Sequence, residues 1–270
     1  ILPHEGLSVK FDFNELHYDR EHVEQISQSL FYLVEQVLEN ENSRIEDLVL
    51  IAAQEDLVRH KNYWLNLFSG VLPILDFPLD NVRPLVKTNK TNRITKGLGK
   101  ELSESFYMLV KEEGATLFMG LLSAVNILLY KYTGQEDIVV GSPVTGREHV
   151  GSEDQIDFYV NTLALRNSFS DSDNYKEVLK KVKQTTIAAL EHQSFPFDKL
   201  LELLELKPDS SRNHLFEVAM LLESADGKSD AEQHFFSKID LAFAFKKTEE
   251  GIDLSIEYSK DLFHKETIVR

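Results

Sequence analysis

The sequence of 270 residues contains no cysteine. This excludes a disulfide scaffold, a thiolate metal site and a cysteine nucleophile, and it is typical of proteins in a reducing cytoplasm. Basic residues are also few, because 29 Lys and Arg stand against 45 Asp and Glu, for a formal net charge of -16. A charge of this sign and size disfavours nucleic acid and anionic membranes as partners.

Long apolar runs are missing as well. The most apolar stretch, Leu117–Tyr130, is interrupted by Gly120, Ser123 and Asn126. It is too short to cross a bilayer and predicts a buried helix. The first residues, Ile1–Glu5, have neither the basic start nor the apolar centre of a secretory signal. We therefore expect a cytoplasmic protein with no membrane partner.

The order of apolar patterns predicts an α/β protein. The hydrophobic share of 42% and the charged share of 27% are those of an ordinary globular protein, long enough for one large domain or two small ones. Helices are expected at Asp19–Glu39, Asp56–Phe68, Ser103–Glu113, Thr116–Gly134, Asn174–His192 and Phe197–Leu204. Asp19, Ser103 and Thr116 are expected to cap their helices, Gly134 to end one, and Asn174 with Glu177 to form a capping box. The polar stretch Lys87–Lys96 is expected to be an extended crossing segment. Strands are expected at Gly6–Phe13, Ile138–Val140, Phe158–Leu165, Phe216–Leu222, Ile239–Phe245 and Ile252–Tyr258.

The most informative stretch is Gly134–Arg166. The β-branched run Ile138–Val140, bounded by glycines and Pro143, predicts a buried strand, and a second strand is expected at Phe158–Leu165. The loop between them is too polar for a core and too short for a domain linker. A strand, a polar loop and a strand together are typical of a scaffold that presents groups to a channel or cleft.

Several motifs follow one another along the chain. Tyr132–Arg147 reads YTGQEDIVVGSPVTGR and Phe158–Leu163 reads FYVNTL. His192–Leu200 reads HQSFPFDKL and Ser211–Phe216 reads SRNHLF, while Tyr63-Trp64 precedes a proline-containing segment that ends at Pro84. In this order the motifs resemble those of the C-terminal lobe of condensation domains of nonribosomal peptide synthetases, over roughly Arg59 to Arg270.

The resemblance implies a fold and a chemistry. The fold would be a chloramphenicol-acetyltransferase-like layered sandwich with a mixed sheet flanked by helices, of which this chain holds the C-terminal lobe only. The chemistry would be amide formation in antibiotic biosynthesis and other secondary metabolism, in which an acceptor amine attacks a donor thioester. Both substrates are tethered to phosphopantetheine arms of carrier proteins, so no cofactor is expected on this chain itself.

The first residues repeat the last ones. Placing Gly6 on Gly251 without a gap aligns residues 6–23 with residues 251–268 and keeps the apolar positions in phase, from Leu7 on Ile252 to Val23 on Ile268. We therefore predict two parts: residues 1–55, resembling the tail strand and helix of one condensation domain, and residues 56–270, the C-terminal lobe of another. The first helix would take the place that follows Arg270, in the same chain or in a homodimer that exchanges terminal elements.

Condensation domains catalyse at two adjacent histidines followed by Asp-Gly, because histidine can take up the amine proton near neutral pH. This chain has 9 histidines and no adjacent pair. His4 lies beside Glu5-Gly6, but its spacing does not fit. The resemblance therefore implies no catalytic residue in this chain, which we expect to be inactive alone. No His, Asp or Glu cluster has metal-ligand spacing.

The resemblance places a substrate channel beside the central loop. Ser142 and Thr145 would hydrogen-bond a pantetheine amide, and Arg147 would pair with a carboxylate; alternatively, this loop is a structural turn with a salt bridge. Asn161 and Thr162 match the floor of that channel, and the alternative is that Asn161 binds backbone groups at a strand end. His192 and Asp198 belong to a family motif and are expected to cap and orient helices.

Two interpretations remain from the sequence. In the first, the chain supplies channel walls and carrier contacts to an active site completed by a lobe outside this chain. In the second, it is a non-catalytic interaction or dimerisation fragment derived from a condensation domain. The partners implied are peptidyl or acyl carrier proteins and an adenylation domain or the rest of a synthetase. Carriers are usually acidic, so a basic patch on one helix is a candidate docking surface: Lys176, Lys180, Lys181 and Lys183.

Overall fold

A computed structural model of the chain describes residues 10, 20–42, 44–45, 51–88, 90–145, 160–206, 209–223 and 230–270. Backbone contacts divide it into two compact units, Ile1–Asn62 and Tyr63–Arg270. The predicted strand at Gly6–Phe13, the predicted cap Asp19 and most of the loop between the two central strands lie outside the described residues.

Eight helices and six strands lie in the described residues. The helices are α1 (Arg20–Glu39), α2 (Ile51–Leu67), α3 (Lys100–Glu112), α4 (Leu117–Thr133), α5 (Tyr175–Glu191), α6 (Phe197–Leu203), α7 (Asp230–Ser237) and α8 (Lys265–Val269). The strands are β1 (Thr91–Gly97), β2 (Asp137–Thr145), β3 (Val160–Ser168), β4 (Val218–Glu223), β5 (Leu241–Thr248) and β6 (Gly251–Ser259).

The six strands form one mixed sheet in the order β1-β6-β5-β4-β2-β3. β4 lies parallel to both β2 and β5, and the remaining pairs are antiparallel. The central strands are apolar along their length, since residues of β4 and β5 are buried at consecutive positions. This is the pattern of strands covered on both faces, and it confirms the prediction of an α/β fold with a mixed sheet flanked by helices.

The caps of α4 and α5 confirm two predictions made from local sequence. The Thr116 hydroxyl accepts a hydrogen bond from the backbone N–H of Met119, and Gly134 ends α4 in the left-handed conformation with φ 68°. Asn174 and Glu177 form the predicted capping box of α5. α4 is the central helix, with Leu122 and Leu129 fully buried, as its apolar residues on all sides predict.

Other predictions were wrong at their boundaries. The polar segment Lys87–Lys96 was expected to be an extended crossing segment without a strand partner named for it, and Thr91–Gly97 pairs with β6 as the edge strand β1. Only Ile94 is apolar there, so the alternation of a half-buried strand is hidden. Ser103 does not cap α3, which begins at Lys100 after Gly99; instead its Oγ donates to the Gly99 carbonyl and accepts from Ile252 N–H. Helix α7 was not predicted.

No single helix among the described residues has both the length and the apolar composition of a membrane span. Helices α3 and α4 have that length and composition only when they are taken together, and the chain bends by 103° between them. In the same residues, no group of three or more His, Asp or Glu side chains is arranged to hold a metal ion.

Candidate substrate site

The antiparallel hairpin of β2 and β3 brings together three of the five predicted channel residues. Ser142 lies opposite Leu163, Pro143 opposite Thr162, and Val144 opposite Asn161. Residues directly opposite each other in such a pair point to the same face, so Ser142 and Asn161 lie on one face and Thr162 lies on the other. Thr145 ends β2 opposite Val160 in the backbone register. Arg147 lies outside the described residues.

β2 and β4 separate just before these residues. The two strands pair at Val140 with Val218 and at Gly141 with Ala219, and no further pair between them follows in the described residues. The strands diverge toward their carboxyl ends, which is where open α/β sheets commonly bind ligands. Gly141 is required at the last pair, because a Cβ there would lie 2.1 Å from the Phe216 ring.

A cavity of about 240 Å³ opens where the strands diverge; we call it the Ser142 cavity. Its walls come from the start of α4, the ends of β2 and β4, β3 and the end of α5, and most of them are apolar. The lining residues are Thr116, Phe118, Met119, Ser142, Pro143, Val144, Leu163, Leu165, Thr186, Leu190, Leu221 and Leu222.

The three polar side chains in this lining differ in whether their hydroxyl groups form a hydrogen bond. The Thr116 hydroxyl accepts from Met119 N–H, and the Thr186 hydroxyl donates to the Val182 carbonyl. The Ser142 hydroxyl has no hydrogen-bond partner among the described residues, although Ser142 is only 3% exposed. The Ser142 hydroxyl is therefore the one polar side-chain group of this lining that is open to a hydrogen bond with a ligand atom.

The Asn161 side chain is fully engaged with backbone groups. Its Nδ2 donates to the carbonyls of Gln193 and Phe195, at 2.6 and 2.9 Å. Its Oδ1 accepts from the N–H groups of Phe197 and Thr162, at 3.0 and 2.9 Å. The amide therefore fixes the connection from α5 to α6 against β3. This arrangement favours the structural alternative for Asn161, in which its side chain binds backbone groups and not a substrate.

The His192 motif lies at the end of α5 and has a structural arrangement. His192 is the residue after α5, and its ring stacks on Tyr63 with centroids 4.1 Å apart. Asp198 lies in the first turn of α6, where a carboxylate is favourable beside the helix N-terminus. Burial raises the pKa of the Tyr63 hydroxyl, and the charge of Glu191 adds to that effect.

A buried charge cluster at the start of β4 and β5 was missed from the sequence. Asp240 is 3% exposed and pairs with Arg83 Nη2 and Lys87 Nζ, each at 2.6 Å. Glu217 pairs with Arg212 Nη1 at 2.8 Å. Burial raises the pKa of Glu217, and this outweighs the opposing effect of Arg212. The cluster ties the proline-containing segment before β1 to the sheet.

The predicted basic patch on α5 is partly neutralised. Lys176 pairs with Glu113 and Lys181 pairs with Asp173, each at 2.5 Å. Lys180 and Lys183 form no ion pair with any residue that the structure describes. The part of the patch that is available to an acidic partner is therefore smaller than the sequence indicated.

A second concave surface lies on α3 and the β5–β6 hairpin; we call it the α3 groove. It encloses about 430 Å³ and is lined by Tyr107, Met108, Leu117 and Ile252, with Lys100, Glu104, Lys247 and Glu249 also present. Tyr107 and Met108 are 44% and 53% exposed. Lysines and glutamates are equal in number there, so the groove has no charge preference.

Comparison with known families and sequences gives a consistent result. The family model described as Condensation domain matches residues 50–270. Tyrocidine synthase 3 of Brevibacillus parabrevis is 40% identical over 221 residues, which are 78% of this chain and 3% of that protein. Bacitracin synthase 1 of Bacillus licheniformis is 37% identical over 229 residues, 81% of this chain and 4% of that protein. The chain thus spans a few percent of the length of these relatives.

Solved structures share the fold. The X-domain from teicoplanin biosynthesis has a TM-score of 0.71 at 22% identity, over 87% of this chain and 54% of that chain. The condensation domain of Monacolin K polyketide synthase has a TM-score of 0.64 at 17% identity, over 91% of this chain and 62% of that chain. These similarities confirm the chloramphenicol-acetyltransferase-like layered fold.

Proposed function

The chain belongs to the condensation domain family of nonribosomal peptide synthetases, and we propose that it is the C-terminal lobe of a domain that forms amide bonds between carrier-bound substrates. In this reaction the acceptor amine attacks the donor thioester carbonyl, the C–S bond breaks, and the thiol of the donor pantetheine arm is released. The observation that carries the proposal is the Ser142 cavity, a mainly apolar cavity beside the predicted loop, in which the Ser142 hydroxyl forms no hydrogen bond with the part of the chain that the structure describes.

The proposed channel residues have separate roles. Ser142 and Thr145 hydrogen-bond an amide or carbonyl of the incoming substrate arm, and Arg147 pairs with a carboxylate. Thr162 lies on the other face of the hairpin from Ser142, so a channel floor at Thr162 would be separate from the Ser142 cavity. Asn161 is a positioning residue, because its amide holds the backbone of Gln193, Phe195 and Phe197 beside β3.

Catalysis requires groups from outside this chain. The sequence has no adjacent histidine pair, and no other residue here is proposed to take up the amine proton. We propose that an N-terminal lobe supplies that pair and that this chain alone is inactive. The domain boundary near residue 55 remains a prediction. The proposed partners are carrier proteins, with their phosphopantetheine arms, and an adenylation domain of the same synthetase, all in the cytoplasm.

Amide formation from donor and acceptor substrates loaded on carrier proteins tests the proposal. The chain is assayed alone and together with a separately expressed N-terminal lobe that bears the histidine pair. Product only on mixing is the expected result. A mixture without product, with both parts folded and in contact, would overturn the proposal. Replacing the first histidine of the added lobe by alanine is the control for the source of the activity.

A second candidate function is favoured by α1. Its apolar residues are exposed to between 40% and 80%: Ile26, Leu30, Phe31, Val34, Val37 and Leu38. Such a face is available to a partner. Because α1 begins at Arg20 and α8 begins at Lys265, the two helices start at equivalent positions of the repeat. Exchange of these helices between two copies would make the chain a dimerisation fragment.

The oligomeric state tests this second candidate. A dimer in sedimentation equilibrium that becomes a monomer in the Leu30→Glu, Val34→Glu double variant would support it. Glu24→Lys together with Glu35→Lys on the same helix is the control for a general effect of charge. A chain that is a monomer at all accessible concentrations would remove this candidate.

A further inference from the structure

The Ser142 cavity has dimensions that limit what it can hold. Its volume of about 240 Å³ is below the roughly 300–1,000 Å³ of pockets that enclose a drug-sized ligand. A whole pantetheine arm with its substrate is larger than that. The cavity is therefore suited to one end of a substrate, and the rest of the arm must lie outside it.

The chemistry of the lining limits the ligand further. Nine of the twelve lining residues are apolar, and the hydroxyls of Thr116 and Thr186 already have partners. No charged side chain is among the twelve. A charged or strongly polar group would lose its hydration without compensation there, whereas an aliphatic or aromatic group is favoured by burial alone.

Ser142 adds a single polar requirement. Ser142 lines the cavity and is 3% exposed as a residue, and its hydroxyl forms no hydrogen bond with any residue that the structure describes. The matching ligand is apolar and carries one hydrogen-bonding oxygen. The separation of β2 from β4 after Gly141 and Ala219 leaves room for such a group to enter between the strands.

We infer that the Ser142 cavity binds the apolar acyl or side-chain group of a condensation substrate, with Ser142 donating to its carbonyl oxygen. The inference rests on the proposed function, since it takes the ligand to be a condensation substrate. It assigns a preference for apolar over charged substrates to this lobe. Leu190, at 40% exposure the most accessible leucine of the lining, is placed to limit the size of the group.

The test measures binding of acyl N-acetylcysteamine thioesters to the folded full chain by isothermal titration calorimetry. Acetyl, butanoyl, hexanoyl, octanoyl and dodecanoyl probes are compared with a succinyl probe of similar length to hexanoyl. Each added methylene should tighten binding about fourfold until the cavity is filled, so affinity should rise along the series and then level off. The succinyl probe should bind more weakly than hexanoyl because its carboxylate would be buried without a partner.

Three variants locate the site. Leu190→Trp narrows the cavity and should abolish the gain from butanoyl to octanoyl. Ser142→Ala should weaken every acyl probe about fivefold and leave the dependence on chain length unchanged. Met108→Ala alters the α3 groove and is the matched control, with no change expected. Circular dichroism checks that each variant is folded.

Two results would overturn the inference. One is an affinity that does not depend on acyl length; the other is a dependence lost in Met108→Ala and retained in Leu190→Trp, which would place binding in the α3 groove. Amide formation by the mixed lobes is measured separately. If product forms while acyl length has no effect on binding, the inference fails and the proposed function stands.

Discussion

Trp64 donates its indole N–H to the backbone carbonyl of His192, with Nε1 3.0 Å from the oxygen. The bond joins the last turn of α2 to the residue that follows α5, 128 positions further along the chain. Tyr63 stacks on the ring of the same histidine. The two aromatic residues that were only a short motif in the sequence therefore hold one end of α5, the helix that contributes Thr186 and Leu190 to the lining of the Ser142 cavity.

Trp64→Phe should destabilise the protein. Phenylalanine keeps an apolar ring in this buried position but removes the indole donor, so the His192 carbonyl loses this bond and keeps the longer one from Phe195 N–H, at 3.3 Å. The smaller ring also leaves part of the volume empty. We expect a loss of about 2–3 kcal/mol in the free energy of unfolding. Urea unfolding followed by circular dichroism measures it, since Trp64 is the single tryptophan. Tyr132→Phe, at a 51% exposed aromatic residue, is the control.

Asn161→Asp should destabilise the protein more than its small change in shape indicates. A carboxylate has no N–H to donate, so its oxygen would face the carbonyl oxygens of Gln193 and Phe195. We expect a loss of about 2 kcal/mol in the free energy of unfolding. Asn92→Asp makes the same replacement at an exposed residue of β1 and should change stability little. A stable Asn161→Asp protein would show that the amide does not position the connection between α5 and α6.

Gly141→Ala should also destabilise the protein. The added methyl group would lie 2.1 Å from the Phe216 ring, and the two cannot both keep their positions. Overpacking of this kind costs about 1–3 kcal/mol. Phe216→Leu makes room, so the double variant should lose less than the sum of the two single variants in a double-mutant cycle. Simple additivity would contradict the predicted clash.

The features that the sequence predicted are mostly local. The capping box at Asn174 and Glu177 is formed by residues three positions apart, and the left-handed end of α4 requires the glycine that the sequence has there. Buried strands such as β5 are continuous apolar runs. In each case the residues that determine the structure are neighbours in the sequence, so their pattern is visible without the fold.

The features that were missed depend on residues far apart in the sequence. β1 has a single apolar residue and exists because β6 offers its edge, 160 positions away at the Thr95–Ser255 pair. The ion pair of Arg83 with Asp240 joins residues 157 positions apart. The Ser142 cavity is likewise visible only once β4 is seen to leave β2. No local pattern encodes these relationships.

The raised pKa of Glu217 predicts a pH dependence of stability. A carboxyl with a raised pKa in the folded state stabilises the fold fully below its unfolded pKa of about 4.3, and that contribution is lost as the pH rises through the folded pKa. The glutamine of the Glu217→Gln variant cannot ionise, so this variant should not lose stability as the pH rises. The stability of Glu217→Gln relative to the natural chain should therefore increase between about pH 4 and pH 7.

Urea unfolding at several pH values measures this difference. Glu202→Gln is the matched control, because Glu202 is a glutamate of an exposed ion pair with Lys199. It reports the general effect of removing one carboxylate from an acidic chain. A relative stability of Glu217→Gln that falls with pH would mean that Arg212, and not burial, determines the charge state of Glu217.

Carrier binding should depend on Lys180 and Lys183 rather than on the whole basic patch. Lys176 and Lys181 already pair with Glu113 and Asp173, so reversing them would also release an acidic partner. The double variant Lys180→Glu, Lys183→Glu reverses the two ammonium groups without ion pairs. If an acidic carrier docks there, the variant should weaken its binding at least tenfold at low salt, and the difference should shrink as salt is raised.

Surface plasmon resonance with immobilised carrier protein at two ionic strengths measures the effect. Lys96→Glu together with Lys260→Glu reverses the same number of charges on another part of the chain and separates a local docking surface from the net charge of -16. Equal loss of binding in both double variants would mean that the carrier responds to overall charge. Unchanged binding in the α5 variant would remove α5 as the docking surface, because no other unpaired lysine on this helix could take its place.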